Sequence, residues 1–324
     1  MIAAVVLSLY AAVLALAGPR LLGRAGWTER APRLGIIAWQ ALAASALAAV
    51  TLAGIALVVP TLRISADLAD LLRACVMALR AQYATPGGAA AGASGAVLAL
   101  AVLARAVWCL GAALAGAIRG RARHRDTLAL VATRSEHLGA VVLESEEPAV
   151  YCLPGRQRRI VVTTGALRLL DEDQLAAALA HERAHLDQRH DLVLAWSQGL
   201  ARAFPRITLF ARAQAETARL VELLADDTAS QSCDRLTLAE ALLALAGART
   251  PAAALGAGGT TAALRVRRLI APHQPLGALR TGLGSAVAAA LLALPVLVLA
   301  GPAAAAVHMN VCPTGAPVAS SAMR

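Results

Sequence analysis

Four stretches of this chain are long and apolar enough to cross a lipid bilayer, and they constrain its fold more than any other feature. A spanning helix needs about 20 mostly apolar residues. Ile2–Gly18 lies at the short end of that range, and Gly35–Pro60 carries no charge. Ala93–Ile118 is interrupted only by Arg105, and Gly282–His308 is uncharged before its end. Ile2–Gly18 lacks a basic leader and a clear small-x-small cleavage site before Pro19, so it reads as a retained span rather than a signal peptide. Composition agrees: the chain is 58% hydrophobic and 15% charged, against about 45–50% and about 25% for an ordinary soluble domain.

All 30 basic residues are arginine, with no lysine anywhere. That excludes Walker-type phosphate loops, kinase sites, Schiff bases and Ser-x-x-Lys acylation sites. A net charge of +10 raises the question of nucleic acid. Aromatics are only 3%, however, and no basic cluster is interleaved with stacking residues, so no direct nucleic-acid partner is expected. The arginines crowd instead beside the apolar runs, which fits membrane orientation. Arg20, Arg24, Arg30 and Arg33 follow the first span against a single Glu29; Arg119, Arg121, Arg123 and Arg125 follow the third; Arg280 precedes the fourth. Thr61–Gly92 is nearly balanced, with Arg63, Arg73 and Arg80 against Asp67 and Asp70. The expected topology therefore has the N-terminus outside, residues 119–281 in the cytoplasm and the C-terminal tail outside.

This divides the chain into three spans with short loops over 1–118, a cytoplasmic domain over 119–281, and a fourth span with a short external tail over 282–324. Arg105 should face the bundle or a wet cavity, either touching substrate or the cytoplasmic domain, or satisfied by backbone carbonyls. The five cysteines are scattered singly and indicate neither a disulfide framework nor a thiolate metal cluster; Cys75 and Cys312 share the oxidising side and are the two that could pair.

Within 119–281, Glu144–Pro148 reads as a loop, and Ala149–Leu153 and Arg159–Thr164 read as short strands joined by a Pro154-Gly155 turn. Asp171 with Gln174 reads as a capping box opening a helix to about His190. Further helices are expected over Leu192–Phe204, Ile207–Ser230 and Leu236–Leu245, and a loop over Gly247–Thr261. The expected fold is a mainly α membrane protein, with four transmembrane helices and a cytoplasmic α+β domain holding a small antiparallel sheet.

The chemistry lies in His181-Glu182-Arg183-Ala184-His185, an H-E-x-x-H pattern inside the capped helix. Positions i and i+4 share one helix face, so both imidazoles can reach one Zn2+ ion, with Glu182 beside them as general base for a water. Two residues compete as third ligand. Asp191 fits the pattern H-E-x-x-H-x-x-G-x-x-H/D in place of its final residue, but position 188 is glutamine rather than the required glycine. Glu222 lies in Val221-Glu222-Leu223-Leu224-Ala225-Asp226-Asp227 and is favoured. Asp226, at i+4, can then orient a ligating histidine through its second nitrogen, while Asp227 reads as a solvated charge. His190, five residues past His185, reads as a helix-end or surface residue. Cys152 reads as packed, and His124, His137 and His273 have no partners at ligand spacing. Tyr151, Arg235 and the Arg265–Arg268 cluster are candidates for stabilising an oxyanion, with none assigned.

These segments resemble the gluzincin pattern of integral-membrane zinc peptidases, including the HtpX-like and CAAX prenyl proteases. A fuller resemblance is to the BlaR/MecR antirepressor family of membrane metallopeptidases. It is carried by Tyr151–Gly155, Ile160–Leu167, Leu175–Asp191 and Val221–Asp227. The resemblance implies that Ile160, Val161, Val162, Thr163 and Thr164 form an edge strand aligning substrate backbone beside the zinc. It also implies a four-span layout, a protein or peptide substrate and, for short members, a BlaI-type repressor as that substrate. Those sensors carry a penicillin-binding domain after the last span. Here only sixteen residues follow His308 and no lysine is present, so no direct β-lactam binding is expected. Three functions compete: regulatory proteolysis of a repressor, HtpX-like quality control of membrane proteins, and a non-catalytic membrane scaffold. Intact Glu182 argues against the last, since a structural metal site needs no general base.

Overall fold

The computed structural model describes residues 2–58, 77, 87–155, 157–248, 257–272 and 274–309. Cys75, Cys312, His273 and most of Thr61–Gly92 lie outside them, as do most of the tail after His308 and residues 249–256 of the expected loop. Four helices are long and apolar enough to cross a membrane: α1 (Ile2–Gly23), α3 (Pro32–Val58), α4 (Gly88–Val131) and the Ala278–Ala300 part of the last helix. A single turn, α2 (Trp27–Arg30), joins the first two. The third is longer than its apolar run: α4 continues unbroken through Arg119–Arg125 for 44 residues. Arginine is a good helix former, so the end of hydrophobicity is not the end of the helix.

The chain divides into two compact units. In the first, built on Met1–Ala12, Ser45–Leu103 and Leu291–Arg324, small residues let helices touch backbone to backbone. A Cβ on Gly54 would stand 2.6 Å from the Gly95 carbonyl oxygen, so only glycine fits this crossing. The Tyr10 hydroxyl lies 2.9 Å from Ser45 Oγ, and both donate to the Leu291 carbonyl.

The second unit, Val13–Ala44 with Ala104–Ala290, holds the α+β domain. Four strands follow α4: β1 (Ala132–Ser135), β2 (Ala140–Leu143), β3 (Val150–Leu153) and β4 (Arg159–Thr163), in spatial order β1-β2-β4-β3. The sheet is mixed, not antiparallel as expected: β2 runs parallel to β4, with Val141 opposite Val161. The expected β3–β4 hairpin is present, with Tyr151 opposite Val161. Its β4 strand, however, is interior rather than an edge, hydrogen-bonded on both sides. The run Ile160-Val161-Val162 fits a strand covered on both faces as well. Ile160 and Val162 pack toward Leu179 and Leu186, whereas Val161 packs on Leu128 of α4.

Among the described residues seven helices follow: α5 (Thr164–Leu169), α6 (Glu172–Asp187), α7 (His190–Ala203), α8 (Thr208–Ala229), α9 (Arg235–Gly247), α10 (Ala257–Ile270) and α11 (Ala278–Met309). Thr163 ends β4 and caps α5, its hydroxyl accepting from Ala166 N. The capping box at Asp171 and Gln174 opens α6 as expected. One face of α6 packs on the sheet; the opposite face meets α8, α9 and α10 through Ala177, Ala229, Leu238 and Leu269. Helix α6 is thus held on two sides, and the side chains it carries are fixed.

Candidate metal centre

The helix break after α6 organises the site. Gln188 closes α6, and Arg189 takes a left-handed conformation (φ 51°) that redirects the chain into α7. Asp191 therefore leaves the histidines and forms an ion pair with Arg121 at 3.0 Å. Glu222, on α8, takes the place beside them.

The His181 and His185 Nε2 atoms are 3.1 Å apart. Glu222 Oε2 lies 3.5 Å from His181 Nε2, and Oε1 lies 3.6 Å from His185 Nε2. Ligands about 2.0–2.1 Å from a tetrahedral zinc ion stand about 3.3 Å from one another, so this donor set fits one such ion. Charge points the same way. Glu182, Glu222 and Asp226 face one guanidinium, Arg265, so the pocket is acidic by two charges when its histidines are neutral, which a divalent cation balances.

Behind the donors, Asp226 is 1% exposed and its Oδ1 lies 3.0 Å from His181 Nδ1. This is the orienting contact expected of it, and it turns Nε2 of the ring toward the cluster. Arg265 holds both acids: Nε and Nη2 reach Asp226 at 2.8 and 2.7 Å, and Nη1 reaches Glu222 at 2.9 Å. Of the residues considered for an oxyanion, Arg265 alone stands among the candidate ligands. Arg235 instead donates to the Arg268 and Leu269 carbonyls, and Tyr151 Oη pairs with His124 Nε2 at 2.9 Å. Asp227 is not a solvated charge, because Arg268 forks onto it at 2.7 and 2.8 Å.

Burial works against charge throughout the pocket, and the partners decide the outcome. For His181, burial is outweighed by the hydrogen bonds to Asp226 and Glu222, which hold it at about 9. His185, buried and beside the His181 charge, falls to about 4. Glu222 and Asp226 both stay at about 2 despite burial, the first through His181 and Arg265, the second through Arg265 and His181. The carboxylates that keep a proton on His181 equally favour a cation in its place. Burial raises Glu182, which suits a group that must accept a proton. Cys152 is packed beside it, and burial followed by the Glu182 charge pushes its thiol well above the usual range.

One residue belongs here that the sequence reading placed elsewhere. His190 is 3% exposed, and its Nδ1 lies 3.0 Å from His185 Nδ1. If His185 turns its Nε2 lone pair to a metal, its proton sits on Nδ1 and is donated to His190 Nδ1. The His190 proton then sits on Nε2, a buried atom without a hydrogen-bond partner among the described residues. The left-handed turn at Arg189 brings His190 back, so counting five positions along one continuous helix points it the wrong way.

Two histidines one helical turn apart, a carboxylate from a second helix and a half-buried glutamate beside them form a group that could hold one metal ion. Residues 122–273 match the family model of Peptidase family M48, and that segment contains His181, Glu182, His185, Glu222, Asp226, Arg265 and His190. The match covers just under half of the chain and supports a metallopeptidase function for this part of it. No curated protein and no solved structure matches the chain.

Proposed function

We propose that the protein is an integral-membrane zinc metalloendopeptidase whose active site faces the cytoplasm and cleaves peptide bonds of a protein that comes to the membrane. The observation that carries this reading is the His181–His185–Glu222 cluster with Asp226 behind it and Glu182 at its side. His181, His185 and Glu222 would hold the ion. When bound, zinc supplies a Lewis acid that acidifies a water and polarises the scissile carbonyl. Glu182 takes the proton of the attacking water on its carboxylate and delivers it to the leaving amine. Asp226 and His190 keep the two imidazoles in orientation. Arg265 keeps Glu222 and Asp226 ionised.

Substrate alignment belongs to β3 rather than β4. Thr163 N donates to the Ala149 carbonyl, so by alternation Tyr151 and Leu153 also face β4, while the backbone groups of Val150 and Cys152 point to the free edge. The Cys152 backbone N–H and thiol lie against the Glu182 carboxyl. A substrate strand added to that edge passes the general base directly.

The arginine bias supports the cytoplasmic orientation, and the resemblance to short BlaR/MecR-type chains supports a BlaI-type repressor as substrate. The match to a general peptidase family equally accommodates HtpX-like quality control. One experiment tests the activity and separates the two. Glu182→Gln should retain stoichiometric zinc in the purified full chain and abolish cleavage, and quantitative proteomics should show which fragments vanish with it. Loss of one soluble repressor fragment favours regulation; loss of many membrane-protein fragments favours quality control. Loss of zinc in this variant would show that Glu182 is a ligand and not a base.

A further inference from the structure

Helices α7 and α8 form a hairpin whose tip, Phe204–Phe210, lies far from the candidate ligands in sequence and has no part in the chemistry. Its position is fixed by polar and packing contacts. Arg105, inside the apolar run of α4, donates from Nε to the carbonyl of Ala203, the last residue of α7. A Cβ on Gly199 would stand 2.6 Å from Leu110 Cδ2, so α7 lies directly against α4. Gln40 of α3 donates to Thr217 of α8 at 2.9 Å. Arg105 is about 18 Å along α4 from Ala93, where its apolar run begins, and Gln40 is about 27 Å along α3 from Val58, at 1.5 Å per residue. A hydrocarbon core is about 30 Å thick, so both contacts fall in its inner half.

The composition of the hairpin suits that place. The chain's only two phenylalanines, Phe204 and Phe210, meet at the tip with ring centroids 5.1 Å apart. Ile207, between them, is 39% exposed. Residues 192–215 contain Arg202, Arg206 and Arg212 and no acidic residue, and all three arginines are exposed. None of them is ion-paired among the described residues. Exposed Ile207 and half-buried Phe204, with Phe210 packed behind them, stand among three exposed arginines, and this matches a segment lying in the headgroup layer, where long cationic side chains reach lipid phosphates.

We infer that the α7–α8 hairpin is a lipid-binding anchor, its tip seated in the inner leaflet and Arg202, Arg206 and Arg212 holding anionic phospholipid headgroups. This rests on the membrane reading of α3 and α4, not on the peptidase reading. It adds a second attachment of the catalytic domain to the bilayer, besides the spans.

The test uses the full chain in nanodiscs of phosphatidylcholine and phosphatidylglycerol. Read as the difference from the parent chain, which already carries Trp27, Trp39, Trp108 and Trp196, the emission of a tryptophan introduced by Ile207→Trp should be quenched about twofold by brominated acyl chains and shielded from aqueous iodide. Leu100→Trp, on the lipid-accessible side of α4 (67% exposed), is the control for the span itself. Each surface arginine is worth about fivefold in preference for anionic lipid. The triple variant Arg202→Gln, Arg206→Gln, Arg212→Gln should therefore retain at least about tenfold less phosphatidylglycerol in native mass spectrometry. Iodide quenching at 207 with lipid quenching at 100 overturns the anchor and leaves the spans standing. Iodide quenching at both positions overturns the membrane reading as well. Unchanged phosphatidylglycerol retention in the triple variant overturns anionic headgroups as the ligand.

Discussion

Replacing His190 with leucine removes the acceptor for the His185 Nδ1 proton while leaving every proposed ligand in place. Outer contacts of this kind typically change metal affinity about 10–100-fold. His190→Leu should therefore lose zinc to a chelator at correspondingly lower concentration. His190→Asn, whose amide oxygen can accept the same bond, should retain most of the affinity. Equal zinc affinity in the leucine variant would show that His190 only packs. The three candidate ligands that the structure brings together were named from the sequence, the histidines because they sit at i and i+4 on one helix and Glu222 because Asp226 stands at i+4 from it, where spacing translates directly into a shared face. His190 was hidden by the left-handed turn at Arg189, and a lone arginine such as Arg265, in an arginine-rich segment, has no periodic signal to single it out.

Among the elements, the exchange of roles between β3 and β4 has a direct test. Proline at an edge strand is tolerated where the lost N–H faces outward, and not where it serves the ladder. Val150→Pro removes an outward N–H from β3 and should cut cleavage at least about tenfold, the equivalent of about one hydrogen bond at about 1.4 kcal/mol, while the chain stays folded and zinc-bound. Val161→Pro in the interior β4 should abolish folding. Full activity in Val150→Pro would remove β3 from substrate alignment. The expected helices of the α+β domain were readable to within about two or three residues at most ends, through the Asp171 cap and the Pro205 break, but α10 was not: it begins at Ala257, inside the stretch Gly247–Thr261 expected as a loop, because that stretch's glycines and Thr-Pro read as breakers. The sheet was read as a single hairpin because β1 and β2 are four residues each, and Ala132-Thr133-Arg134-Ser135 carries no hydrophobic alternation. Without β2, nothing in the sequence places a partner on the far side of β4, and its parallel pairing is a long-range property.

For the molecule as a whole, residues 119–281 are not self-sufficient in packing. Gly199 rests on Leu110, Ala203 accepts from Arg105, Thr217 accepts from Gln40, and Arg219 pairs with Glu29 at 2.8 Å. A fragment of 119–281 loses all four partners and exposes the faces they cover. It should be recovered as aggregate, or as monomer without a cooperative melt, whereas the full chain in detergent melts cooperatively and binds zinc. A monodisperse, zinc-loaded fragment with a sharp transition would contradict this. The four apolar runs were evident from composition alone. The length of α4 was not, because arginines that mark the membrane boundary do not mark the end of a helix. That helix runs about 66 Å at 1.5 Å per residue, and β1 begins at the very next residue, Ala132. No slack separates the apolar run from the sheet, so the sheet cannot drift away from that run. If the chain is the membrane peptidase proposed above, any protein to be cleaved must make the journey itself, and whatever recruits it to the two-dimensional world of the bilayer decides when it is cut.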